Sequence, residues 1–482
     1  MNIKIIAILI SLIWMGNSAR KDTIQLWTIG DSTMANKKAE VFPETGWGQV
    51  LHQFFDDGVK IHNHARNGRS TKSFIDEGRW QIVLDSLKPG DFVFIQFGHN
   101  DEKIKDSTRY TVPFGSYSDN LKRFVTESRE KGATPILLTP IVRRKFDAKG
   151  KLLDTHKDYP VAMRQVAKEL NVPLIDMEKL TRKMIQSMGP EKAKELYVWT
   201  PPTKRYPEGR HDDTHLKVKG AQAVASLAAE ALKKLSLGLS KHVVAQRPVV
   251  GLDNWFNREH NKAGKLYHYT WTDTLNSGYS QLGDIFKAKG AELRTIGQAP
   301  TAAELGYLDV YIIVDPDTTS ENPQPNYISK EDIQSITNWV KNGGVLLLMA
   351  NDGPNCEFTH LNQLAGKFGI HFIPETLNPV INHKWEMGAE TNLPNHPLFK
   401  GVKKIYMKEV AGIKISQSAH PVLTDGKDIL MAETTFGKGK VLAVGDPWLY
   451  NEYIGNSRLP KSFENRKAAH NLVNYLLDEV NQ

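Results

Sequence analysis

Ser32, in the stretch TIGDSTM, is a hydroxyl placed directly after a short apolar run. Asp212 and His215, three residues apart in EGRHDDTHLKVKGAQAV, are a carboxylate and an imidazole close enough in sequence for one to orient the other. Together these residue types supply acyl transfer. A serine hydroxyl is a weak nucleophile until a neighbouring base takes its proton, and an imidazole, with an ordinary pKa of ~6.5, does so near neutral pH. A carboxylate fixes the tautomer of that imidazole and stabilises its charged form. The oxyanion that develops needs donors, for which the backbone N–H groups of Ser32 and Gly68 and the side-chain amide of Asn100 are the candidates. Activity of such a set is expected to fall as His215 becomes protonated.

Each piece also has a plain reading. Gly30-Asp31-Ser32 favours a turn in any context, Asp31 suits a helix cap, and NGRS (67–70) suits a surface turn. What sets the chemical reading above these is placement. The apolar runs IQLWTIG (24–30), VKIHNHA (59–65), FVFIQFG (92–98), TPILLTP (134–140) and VPLID (172–176) alternate with amphipathic stretches at 117–131, 159–170 and 218–235. That alternation predicts an α/β fold with a parallel sheet covered by helices on both faces. Sites in open sheets of this kind form at the carboxyl ends of the strands. The candidate residues follow the runs there, and a helix at 218–235 is expected to tie His215 to the same rim.

The chain opens with Lys4, an apolar run from Ile5 to about Gly16 and small residues up to Ala19. This is the order of a secretory signal peptide over residues 1–19, too short to span a membrane. Its 482 residues exceed what one core usually supports, and two domains are expected, at 20–240 and 249–482. A single cysteine, Cys356, excludes an internal disulfide, which among exported proteins points to a bacterial periplasmic or secreted one. The net charge of +8 is spread along the chain without a basic tract. It argues against nucleic acid and suits an acidic polysaccharide partner. No stable membrane association is expected. His64, His211 and Asp213 match no metal-ligand spacing, so neither metal nor cofactor is expected.

Gly30-Asp31-Ser32, Gly68, Gly98-His99-Asn100-Asp101 and Asp212-Asp213-Thr214-His215 resemble, in order, the four blocks of the SGNH (GDSL-type) hydrolases. TIGDSTM, NGRSTKSF, FGHND and DDTHLKVKGA most resemble the rhamnogalacturonan acetylesterases, family 12 of the carbohydrate esterases. The resemblance spans about residues 22–236 and implies a three-layer α/β/α domain. It implies Ser32 as nucleophile, His215 as base and Asp212 as its orienting acid. Ser32, Gly68 and Asn100 would form the oxyanion hole, no metal would be needed, and the substrate would be an acetylated pectic polysaccharide or oligosaccharide. Arg69 and Arg143 are candidate contacts for a galacturonate carboxylate. Arg144 reads as a solvated surface cation, and His99 as a residue that orders its loop. The alternatives are the same triad on another acetylated saccharide such as xylan, or a carbohydrate-binding protein whose hydrolase fold is inactive.

From about Val249 the second half again alternates helices and strands and resembles the class I glutamine amidotransferase-like α/β fold. Its LLLMANDGPNCEF region lacks the Gly-X-Cys-X-Gly frame of the catalytic members, so amidotransferase chemistry is not expected. NREHN, HYTWTD, NDGPN and GDPWLYNEY suit either an aromatic and polar rim for sugars or ordinary packing loops.

Overall fold

A computed structural model of the chain describes residues 23–202, 206–261, 263–275, 277–416, 418–455 and 459–480. The expected signal peptide lies outside these residues. The first half is built on five parallel strands: β1 (Ile24–Gly30), β2 (Val59–Asn63), β3 (Phe92–Gln96), β4 (Thr134–Leu138) and β5 (Leu174–Ile175). Their spatial order is β2-β1-β3-β4-β5.

Alternate residues of each strand leave the sheet on opposite faces, and both faces are covered. Leu26, Phe94, Ile136 and Leu138 pack with Ala221, Val224 and Ala228 of the helix Val218–Lys233. Ile29, Val93, Ile95 and Leu137 pack with Leu121 and Phe124 of the helix Ser118–Glu130, and with Met163 and Val166 of the helix Tyr159–Glu169. This is why β3 is apolar nearly without interruption: every residue in it is buried.

The expected helix after His215 is present, at Val218–Lys233, and the segment that carries His215 is itself a strand. Residues Arg210–Leu216 form a strand, β7, that pairs antiparallel with β6 (Tyr197–Thr200) in a separate two-stranded sheet. Leu216 anchors this ribbon, with its carbonyl accepting the N–H of Thr45 at 2.8 Å and its side chain buried in the core. The helix from Val218 follows immediately.

The second half holds a nine-stranded sheet. Its parallel part consists of β8 (Val249–Asp253), β9 (Glu292–Ile296), β10 (Val310–Val314), β11 (Val345–Met349) and a late strand, Gly439–Val444, in the order β9-β8-β10-β11-late strand. Helix Lys330–Lys341 joins β10 to β11, and helix Asn465–Val480 follows the late strand. An antiparallel extension through Ile370–Leu377, Val410–Ile415, His420–Asp425 and Asp428–Phe436 was not anticipated. In IHFIPETL, exposed and half-buried residues interrupt the buried ones, so no continuous apolar run marks the strand.

The two halves are held closely. In the connecting segment, Val244 N–H donates to the Phe54 carbonyl and Arg247 N–H to the Gln53 carbonyl, at 3.0 and 2.8 Å. Tyr307 of the second half accepts from Gln49 at 2.9 Å, lies 3.3 Å from Thr45 Oγ1 and sets its ring against Phe42.

Candidate active site

β1 ends on Gly30 because nothing larger fits. A Cβ there would lie 2.7 Å from the Gln96 carbonyl oxygen of the neighbouring strand. The demand is steric, since Gly30 is not among the positive-φ residues. Asp31 follows, fully buried, and orders the turn by accepting the Thr33 N–H at 2.9 Å and the Thr33 hydroxyl at 2.8 Å. His99 Nδ1 donates to its other carboxylate oxygen at 3.1 Å. Burial pushes the His99 pKa down to about 4, so this imidazole is neutral at neutral pH and serves as a donor that ties the β3 loop to the β1 loop. That agrees with its reading as a loop-ordering residue.

Ser32 stands half-buried between these anchors. Its Oγ is 2.9 Å from His215 Nε2, across 183 residues of sequence. His215 Nδ1 donates to Asp212 Oδ2 at 2.8 Å, while Asp212 Oδ1 accepts the backbone N–H groups of Thr214 and His215 at 2.8 and 2.9 Å. Burial alone would raise the Asp212 pKa, but the hydrogen bond and charge of His215 with these backbone donors outweigh it and hold the carboxyl well below its usual range. The structure therefore brings Ser32, His215 and Asp212 into one hydrogen-bonded chain, with the imidazole oriented from behind and open to a hydroxyl in front.

Gly68 lies in the loop after β2 with φ +76°, a left-handed conformation that favours glycine. The Asn100 side chain, 3 % exposed, donates one amide hydrogen to the Arg69 carbonyl at 3.0 Å and keeps a second. Asp101 accepts from the Thr71 N–H and hydroxyl at 3.0 and 2.6 Å, which fixes the β3 loop against the helix Thr71–Asp76.

Residues 28–223 match the model of the GDSL-like lipase/acylhydrolase family. A rhamnogalacturonan acetylesterase of Bacillus subtilis is 42% identical over 228 residues, 47% of this chain and 97% of the relative. The chain belongs to the GDSL-like lipase/acylhydrolase family. A probable rhamnogalacturonan acetylesterase of the same organism is 36% identical over 222 residues, 46% of this chain and 98% of that protein. Among solved structures, the Bacillus subtilis protein YxiM is 27% identical, with 45% of this chain and 58% of that chain covered and a TM-score of 0.39. This GDSL-like chain is thus homologous to carboxylic ester hydrolases through its first half.

Around the GDSL-like site lies a charged network that no motif announced. Glu44, 8 % exposed, has Oε1 4.0 Å from His215 Nε2 and 2.8 Å from Lys37 Nζ. Its Oε2 accepts from Arg210 at 2.6 Å, and the same Arg210 nitrogen donates to Asp212 Oδ2 at 2.9 Å. Lys37 also donates to Asn67 Oδ1 at 2.7 Å. Carboxylates therefore flank both imidazole nitrogens, and each is neutralised by a fixed cation.

The arginines singled out in the sequence have different surroundings. Arg69 lines a cavity of about 650 Å3 beside Gly68, with Lys72 and Arg109, but its Nε is paired with Glu77 at 3.0 Å. Arg143 is committed to Glu102 at 2.5 Å and approaches the His99 carbonyl at 3.4 Å. Arg144 is not a solvated surface cation. It is buried, bonds Asp213 at 2.7 Å and the Pro190 carbonyl at 2.6 Å, and its guanidinium lies 4.5 Å from the Trp199 ring centroid. Asp213 thereby fastens the hairpin to the β4 loop. Among the described residues no group of three or more His, Cys, Asp or Glu side chains is arranged to hold a metal.

Proposed function

We propose that the chain is an exported serine esterase that removes acetyl groups from rhamnogalacturonan. The observation that carries the reading is the continuous chain from Ser32 Oγ through His215 to Asp212, at 2.9 and 2.8 Å. Ser32 Oγ attacks the acetyl carbonyl while His215 Nε2 takes its proton. The oxyanion forms against the N–H groups of Ser32 and Gly68 and the free amide hydrogen of Asn100, and each such donor is worth ~3 kcal/mol in the transition state. As the tetrahedral intermediate collapses and the ester C–O bond breaks, His215 gives the proton to the departing sugar oxygen, which leaves as a hydroxyl. A water attacks the acetyl-serine with His215 again as base, releasing acetate and restoring Ser32.

The acetylated pectic substrate is supported by the names of the two Bacillus relatives, and an acidic polymer suits the net charge of +8. Export rests on the N-terminal sequence. The second half is read as a non-catalytic amidotransferase-like domain, because Cys356 is buried in its core and burial raises the thiol pKa. The direct test is acetate release from acetylated rhamnogalacturonan against acetylated xylan. Faster release from the pectic polymer is expected, and faster release from xylan would overturn the substrate.

Glu44 is expected to tune the base. Its carboxylate lies 4.0 Å from Nε2, where it stabilises the positive charge that the imidazole gains as it takes the Ser32 proton. In Glu44→Gln kcat on nitrophenyl acetate is therefore expected to fall about tenfold. An unchanged kcat would show that Glu44 only supports Arg210 and Lys37.

A further inference from the structure

The second half carries a cavity of about 500 Å3, within the usual range for ligand sites, whose walls include Asn382, His383, Trp385, Tyr406, Lys408 and Tyr453. We propose that this cavity binds one hexuronate unit of an acidic saccharide.

Three aromatic rings shape the cavity. Trp385 stands edge-on to Tyr406 at 5.5 Å and to Tyr453 at 6.4 Å, and Tyr406 meets Tyr453 at 5.8 Å. Trp385 is only half-buried, so part of a large apolar surface faces solvent, as needed to cover the C–H face of a pyranose. Tyr406 is 1 % exposed and its hydroxyl has no hydrogen-bond partner, an unmet group of the kind that calls for an explanation. Exposed Ile381 and Met387, at 57 % and 41 %, flank the same loop. Asn382 and His383 both have left-handed backbones, with φ of 52° and 55°, a strained arrangement that clusters at ligand-binding positions.

The polar lining favours an anion. Lys408 contributes an ammonium that lies 4.2 Å from the Trp448 ring centroid and 2.7 Å from Glu409. His383 adds an imidazole, and no Asp or Glu is among the described residues that line the cavity. A neutral sugar would use the aromatic surface and the Asn382 amide, whereas a uronate carboxylate also meets Lys408. A lipid or apolar peptide would make use of neither the lysine nor the asparagine amide. The inference rests on the esterase reading only for the choice of polymer.

The test uses unacetylated trigalacturonate, which has no ester to cleave, and galactotriose as its neutral counterpart, with binding followed by calorimetry. The parent chain is expected to bind trigalacturonate about tenfold more tightly than galactotriose, a difference of about 1.4 kcal/mol. Trp385→Ala is expected to weaken both, and Lys408→Gln to weaken trigalacturonate alone. Hydrolysis of nitrophenyl acetate should be unchanged in both variants, which verifies that they fold and reports on the esterase site separately. Undiminished trigalacturonate binding in both variants, or no binding by the parent, would overturn the site. Equal affinity for the two trisaccharides would overturn its assignment to uronates.

Discussion

Ser32→Ala is expected to lower acetate release by about 10⁶-fold, the scale seen when a nucleophile that works as a unit with its base is removed. No neighbour is arranged to replace it. The Thr33 hydroxyl, adjacent in sequence, is buried and donates to Asp31 at 2.8 Å, so it is turned away from the imidazole. The substitution removes one oxygen from a half-buried position and leaves the Asp31–His99 pair intact, so the thermal midpoint should change little. Steady-state release from nitrophenyl acetate and from the acetylated polymer measures the effect. A variant within tenfold of the parent on both would remove Ser32 from the chemistry.

Asp212→Asn should cost about 10⁴-fold in kcat, as expected when the orienting carboxylate becomes an amide. The carboxylate accepts from Nδ1–H and so leaves Nε2 as the acceptor facing Ser32. An amide at the same place can donate to Nδ1, which moves the imidazole proton to Nε2 and blocks proton abstraction. A loss below tenfold would mean that the backbone and Glu44 suffice to hold the tautomer. The pair also has a stability consequence. A carboxyl whose pKa is depressed by folding stabilises the native state above its unfolded pKa, and that contribution is lost as the pH falls through the folded value. The acid branch of the stability curve should therefore be shallower in Asp212→Asn than in the parent.

The parts of the site that follow buried strands were legible, because continuous apolar runs such as FVFIQ mark where a parallel strand ends and a loop begins. Ser32 and Asn100 follow such runs, whereas Gly68 follows VKIHN, a strand with no buried residue. His215 was read from its spacing from Asp212, and the helix expected after it is present, but the strand that carries it was not expected. RHDDTHL is largely polar, and only pairing with Tyr197–Thr200 makes it a strand. Glu44, Lys37 and Arg210 carried no signal, since they meet across 166 residues and each alone reads as a surface charge. Arg144 was misjudged for the same reason: its partners Asp213 and Trp199 are remote in sequence, and only folding removes its charge from water. In the second half the parallel strands were visible and the antiparallel ones were not, because the latter mix exposed and buried positions.

Tyr307 gives the second half a bearing on the first that its separate sheet would not suggest. Its hydroxyl accepts from Gln49 and lies 3.3 Å from Thr45 Oγ1, on the residue next to Glu44. Phe42, on the other side of Glu44, sets its ring against Tyr307, so the second half holds the segment that carries Glu44 from both sides. Cutting the chain after residue 240 would remove that support and bare the Phe42 ring, so the excised first half should show a lower thermal midpoint and a lower kcat than the full chain.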